Sequence, residues 1–290
     1  MYPYKLIRFP DGSGIPLYVI FILIGVIAAI VLFRILADRR EMPAKLQNLV
    51  LIGAVVSFIV GYLCAVLFQA VYNAIATGEF SLGSGTGSTF YGGFIGGAVC
   101  MLLIYFVGGR ILFGQKGEHI GWFHVFANIA AACIPFAHAF GRIGCLTAGC
   151  CHGGITDAWY GITQYIETEP GKYGWEKVVP IQLFEAIFLF ALAAVLIVLV
   201  WKGKGFELPA YLAGYGVWRF IIEFFRTDDR GASFIPFLSP SQTTAVLLIA
   251  IAAALFLAAF ILRKKGRLPF PPFSRLCLLY TSPSPRDRSV

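Results

Sequence analysis

Charge is what this 290-residue chain has least of, since Asp, Glu, Lys and Arg together make up only 13% of it. Soluble domains carry roughly a quarter of their residues as charges. Histidine is rarer still, with four residues in the whole chain. No internal repeat and no soluble domain is visible, and no C-x2-C pair offers the usual zinc spacing. These absences exclude an ordinary soluble enzyme and a zinc ribbon. What is present is hydrocarbon: 58% of the residues are hydrophobic and the mean hydropathy is +0.78. Several windows exceed the roughly 18 apolar residues needed to cross about 30 Å of bilayer core. The fold class is therefore an all-α polytopic membrane protein.

The formal charge of +8 includes a terminal stretch, residues 275–290, that breaks composition with everything before it. It reads as translated sequencing-adapter sequence, a non-native tail, and the coding DNA checks that expectation. Its three arginines and one aspartate supply two of the eight charges, leaving +6. Loop residues account for that remainder, so no nucleic-acid partner is implied.

Seven spans are expected, at roughly 17–37, 47–69, 92–109, 120–141, 179–201, 208–226 and 240–262. The first is too long for a signal-peptide core and has no small-x-small cleavage site before Asp38, so it should be retained. With the N-terminus outside, twelve Lys and Arg residues flank the inner ends, including Arg34, Arg39, Arg40, Lys45 and Arg263 to Arg267. Seven remain outside, among them Arg142 and Arg226 at span ends. The positive-inside bias thus favours N-out, C-in. Residues 1–270 form one transmembrane domain, with an outer-face segment at about 144–178, long enough to carry function or a small subdomain.

Five groups of residues stand out. Cys145, Cys150, Cys151 and His152 form a C-x4-C-C-H cluster, which allows a metal site, a redox pair, a disulfide or a packed turn. Arg142, Arg219 and Arg226 lie in or beside apolar spans, and the guanidinium fork suits bidentate binding of phosphate. Glu223 follows Arg219 by four residues and shares its helix face, which also allows a structural ion pair. Glu185, after Pro180 and Gln182, sits inside the fifth span, where a carboxylate needs a partner. His138 precedes Arg142 by one helical turn and could take a thiol proton, although a lone helix histidine is commonly a packing residue. Gly92, Gly93, Gly96 and Gly97, after a Gly-rich loop, suit either close helix packing or backbone approach to a phosphate.

Gly141-Arg142-Ile143-Gly144-Cys145 followed by Ala148-Gly149-Cys150-Cys151-His152-Gly153 resembles the signature segment of the prolipoprotein diacylglyceryl transferase family, in a Cys-rich version. Further matches follow in the family's order. Tyr91-Gly92-Gly93 is similar to its His-Gly-Gly segment, and Pro180-x-Gln182-Leu183-Phe184-Glu185 to its Pro-Ser-Gln-Leu-Tyr-Glu helix start. Arg219-Phe220-Ile221-Ile222-Glu223-Phe224-Phe225-Arg226 resembles its Arg-Phe-x-x-Glu-x-x-Arg helix, and Ser239-Pro240-Ser241-Gln242 also fits.

The resemblance covers roughly residues 15–265 and implies seven spans with the N-terminus outside. It implies transfer of the diacylglyceryl group of phosphatidylglycerol to the lipobox cysteine of a prolipoprotein, releasing glycerol phosphate. By resemblance, Arg142 and Arg219 hold the phosphate and Glu223 orients Arg219; with Tyr91 and His138 they make up the expected catalytic set. Substrate binding falls to Arg142, Gly92, Gly93, Gly144, Arg226, Gln182 and Glu185. The implied setting is multi-pass in a bacterial inner membrane, with a lateral opening for lipid and peptide and neither metal nor organic cofactor. Departures are Tyr91 in place of the family's histidine, and Cys145 and Cys150 at its signature Asn and Glu. The rival readings are a thiol-disulfide or metal-handling protein built on the cysteines, and a non-catalytic lipid-binding paralogue.

Overall fold

A computed structural model describes residues 5–8, 14–78, 80–82, 86–87, 89–114, 117–169, 172–226 and 237–264. The composition break at 275–290, like Arg230, lies outside the described residues.

The chain is mostly helical and divides into two compact units: 1–36 with 126–290, and 37–125. The helices α1 (Leu17–Arg39) and α5 (Glu118–Ala148) each run from one unit into the other. In the 37–125 unit, α2 (Ala44–Thr77) packs on α3 (Phe90–Leu103), which continues through a π-helical turn (Ile104–Gly108) into the short α4 (Gly109–Phe113). Small residues make the α2–α3 contact possible. A Cβ at Gly92 would meet Phe68 Cβ at 2.6 Å, and one at Gly96 would meet Cys64 Sγ at 2.5 Å. Close helix packing therefore accounts for this glycine run.

The other unit holds most of α1 and α5, then α6 (Ile181–Trp201), α7 (Glu207–Ile222) and α8 (Pro240–Lys264). Helix α7 contacts both α6 and α8. A Cβ on Gly144 of α5 would stand 3.1 Å from Tyr18 Cδ2 of α1, so glycine lets these two helices touch. Two antiparallel hairpins add to the helices, β1–β2 (Lys5–Arg8, Gly14–Pro16) and β3–β4 (Ile162–Glu169, Lys172–Val178).

Six helices among the described residues are long and apolar enough to cross a membrane. Their flanks keep large apolar side chains exposed, as at Ile52, Ile111, Ile187 and Leu257, which suits a hydrocarbon solvent rather than water. The sixth expected span, 208–226, is α7 with 16 residues, closed by a 3-10 turn (Glu223–Phe225). At 1.5 Å per residue it rises about 24 Å, short of a full crossing alone. The chain is a multi-pass membrane protein.

Two expectations shift. Arg142 does not stand at a helix end: α5 continues six residues beyond it, to Ala148. What stops the helix is Gly149, at φ +66°, with Gly149 N–H bonded to Leu146 O (3.4 Å) and Cys150 N–H to Cys145 O (3.3 Å). That reciprocal pair is a Schellman cap, which needs a left-handed residue after the last helical one. The segment expected at the outer face, about 144–178, is in turn strand-bearing. Its β3–β4 hairpin is bridged through Val178 to Ile155, and Gly153, earlier in the same segment, bridges Arg226.

Candidate active site

Arginine has to be paired wherever it enters an apolar interior, and the pairing here is specific. On α5, Arg142 Nε lies 3.0 Å from Glu185 Oε2 of α6, and the Glu185 side chain is fully buried. The Tyr215 hydroxyl of α7 donates to Glu185 Oε1 at 3.4 Å. Tyr215 also meets the His138 ring edge-on, at 5.6 Å between centroids. His138 and Tyr215 both feel the charges of Arg142, Glu185 and Arg219, so α5, α6 and α7 converge on one electrostatic locus.

The second arginine is held from its own helix and from α8. Arg219 Nη2 lies 2.9 Å from Glu223 Oε2 and donates to Ser241 Oγ at 2.8 Å. Glu223 Oε1 accepts from Ser239 Oγ at 2.9 Å. Ser239 also starts α8: its Oγ accepts the Gln242 N–H at 3.1 Å, while Gln242 Oε1 accepts the Ser239 N–H at 3.0 Å. This reciprocal arrangement is a capping box, with Pro240 at the first helical position.

After α5 the chain turns sharply, and two glycines are obligatory there. A Cβ on Gly149 would collide with the Tyr165 carbonyl, quite apart from its positive φ. One on Gly153 would meet Phe225 O at 2.8 Å. Between them Cys151 adopts φ +61° without being glycine, a conformation a side chain enters only at a cost. The sulfurs of Cys145, Cys150 and Cys151 lie within 4.8 Å of one another, half-buried and as free thiols. Hydrogen bonds from Cys145 and Cys150, aided by the Arg142 and Arg226 charges, hold the Cys151 thiol below the ordinary thiol range. Hydrogen bonds with Cys145 and Cys151, together with burial, push Cys150 above it. His152 stays outside this sulfur group, its Nδ1 2.8 Å from Gly153 O.

Gln182 clamps the turn: its Nε2 donates to Cys150 O at 2.7 Å and to Gln164 Oε1 at 3.3 Å. Gln164 in turn donates to Leu146 O at 3.3 Å. A small groove beside the turn is lined by Leu146, Thr147, Gly149, Tyr165 and Trp175.

The residues proposed from sequence are thus partly gathered. Arg142, Glu185, His138, Arg219, Glu223 and Gln182 lie in one unit, and Arg226 reaches the cysteine turn through its bridge to Gly153. Gly144 serves the α1–α5 contact. Tyr91, Gly92 and Gly93 belong to the other unit, in the first turn of α3.

Sequence reading did not single out Tyr215 or Gln164, and quoted Ser239 and Ser241 without a role. Tyr211, Tyr215, Arg219 and Glu223 repeat every four residues, so helical spacing could have shown Tyr215 on the arginine's face. The Ser239-x-x-Gln242 pattern is likewise a legible helix start. Gln164 carried no signal, because its partner lies on a strand-helix contact.

The prolipoprotein diacylglyceryl transferase family matches residues 6–258. The chain belongs to that family. Among its members, the phosphatidylglycerol-prolipoprotein diacylglyceryl transferase of Clostridium tetani is 29% identical over 244 residues, 81% of this chain and 89% of the relative. That of Azoarcus sp. is 31% identical over 260 residues, covering 82% and 89%. A second enzyme of the same name, transferase 2 of Clostridium perfringens, is 33% identical over 171 residues. There the match spans 57% of this chain and 59% of the relative. The family's transferase names fit a site built on two arginines facing apolar helices.

Proposed function

We propose that this protein transfers the diacylglyceryl group of phosphatidylglycerol to the lipobox cysteine of prolipoproteins, releasing glycerol phosphate. The observation that carries this reading is the pair of arginines locked by Glu185 and Glu223 on helices α5 to α7. The reaction replaces a carbon–oxygen bond to phosphate with a carbon–sulfur bond, so negative charge grows on the departing phosphate. Fixed guanidinium groups in a water-poor site meet that charge without reorganising. Arg142 and Arg219 are the phosphate-holding residues in this mechanism, and Arg226 adds charge at the outer turn.

Glu185 and Glu223 act as positioning residues, each fixing a guanidinium fork, and Gln182 fixes the signature turn. Gly144 allows the close approach of α1 and α5, and Gly92 and Gly93 that of α2 and α3. His138 and Tyr91 are the remaining candidates for handling the thiol proton.

The reaction runs at the outer leaflet of a bacterial inner membrane, with the N-terminus outside and the C-terminus cytoplasmic. Residues 1–270 carry it as one transferase domain, and 275–290 are dispensable. The test is complementation of a conditional transferase mutant by residues 1–270, read by mass spectrometry of a lipobox substrate. A membrane-inserted, well-expressed protein that leaves the substrate unmodified would sink the proposal.

A further inference from the structure

We propose that Cys145, Cys150 and Cys151 form a three-thiolate zinc site whose open fourth position takes the thiol of the acceptor peptide. This deepens the transferase reading and rests on it, and it departs from the metal-free expectation drawn from the sequence.

Three sulfurs lie within 4.8 Å of one another. Zn–S bonds of about 2.3 Å in tetrahedral array put sulfurs about 3.8 Å apart, so small side-chain rotations bring all three onto one ion. A disulfide would use two sulfurs at about 2 Å and leave the third stranded beside them. The donor set is all sulfur, which selects thiophilic ions over magnesium or calcium.

The backbone around the trio is built rather than incidental. The Schellman cap turns the chain back so that Cys150 returns beside Cys145, with Cys150 Sγ 3.8 Å from Cys145 O. Cys151 is held at φ +61°, where glycine is the usual residue. A side chain kept at such a position points to a use for that side chain. Gln182 and Gln164 then hold the turn from α6 and β3.

Charge agrees with the assignment. Three thiolates around Zn2+ carry a net charge of −1, and the neighbouring Arg142 and Arg226 accommodate it. Three protein ligands with one open position is the pattern of catalytic zinc, whereas structural zinc is closed by four.

Among the described residues, Glu185 and Glu223 are engaged in ion pairs with Arg142 and Arg219. A thiol bound to zinc is deprotonated by the metal itself. On binding, the peptide thiol gives its proton to solvent, which relieves His138 and Tyr91 of that role, and its sulfur attacks the glyceryl carbon. The carbon–oxygen bond to phosphate breaks, its electron pair staying on the phosphate held by the arginines. The product is a thioether, a neutral and weaker ligand, so it can leave the metal.

The test uses the full-length protein in detergent under reductant, stripped with chelator and reloaded with Zn2+ or Co2+. The expected result is one metal ion per wild-type chain, none in C145S/C150S/C151S, and full loading in C64A/C100A. A single C150S variant, checked for an unchanged far-ultraviolet dichroism spectrum, should also lose the ion. In the cobalt protein, thiolate-to-metal absorption should rise on adding a lipobox peptide with cysteine and stay constant with its serine analogue. Absence of metal in wild type, equal metal in the triple variant, or no response to the cysteine peptide overturns the proposal. If metal and peptide response are intact but phosphatidylglycerol is not consumed, the transferase reading fails and the thiol-binding site stands. Full transfer by the metal-free triple variant does the reverse.

Discussion

Arg142 Nε and Glu185 Oε2 sit 3.0 Å apart on facing helices, and the Glu185 side chain has no solvent exposure at all. Removing one member of such a pair costs more than the pair contributes, because the survivor remains buried and charged. Glu185→Ala should therefore destabilise the protein by about 3–5 kcal/mol. Thermal unfolding in detergent measures this, with Glu185→Gln expected to lose less. An unchanged midpoint for Glu185→Ala would mean that Arg142 finds another counter-charge.

Charge alone does not replace a planar fork. Arg142→Lys and Arg219→Lys should each keep the membrane-inserted fold yet lower transfer by about 100-fold or more, the scale of losing one transition-state donor. Single-turnover assays with phosphatidylglycerol decide the matter. Lysine variants with wild-type rates would show that a point charge suffices.

Ser241 touches Arg219 and does not belong to its ion pair. Losing that one hydrogen bond to a charged group should cost about 1.5–3 kcal/mol of guanidinium positioning. Ser241→Ala should thus slow turnover by roughly tenfold or more at unchanged expression. Ser241→Thr, which keeps the hydroxyl, should restore most of the rate. Equal rates for alanine and threonine would assign Ser241 to packing alone.

At Gly149 both the positive φ and the Tyr165 carbonyl exclude a Cβ. Gly149→Ala should uncouple the end of α5 from the β3–β4 hairpin, by more than the roughly 1–2 kcal/mol of left-handed strain alone. Limited proteolysis should cut within 150–160 sooner than in wild type. Equal protection would show that the turn absorbs the extra atom.

Much of this was legible in the chain. Long apolar runs specified the helices because a bilayer leaves backbone groups no other partner. Arg142, Glu185, Arg219 and Glu223 were visible because charge in an apolar span demands a partner. Which arginine meets which carboxylate was only half visible. Arg219–Glu223 follows from four-residue spacing, while Arg142–Glu185 joins helices 43 positions apart in sequence. The true end of α5 was missed because Gly141 and Gly144 look like breakers, yet Gly144 serves the contact with Tyr18. The β3–β4 hairpin was missed too, since its alternation is short and interrupted by charges.

Ser239 deserves a different comparison, with helix starts elsewhere. Its one hydroxyl receives the Gln242 N–H and hands its own proton to Glu223. At most helix starts Asp, Asn, Ser and Thr are interchangeable, since each supplies an acceptor. Here the acceptor must also be a donor, and aspartate would set a second anion against Glu223. The set of tolerated residues narrows to the two hydroxyl amino acids, and fraying at the first turn of α8 becomes loosening of Arg219.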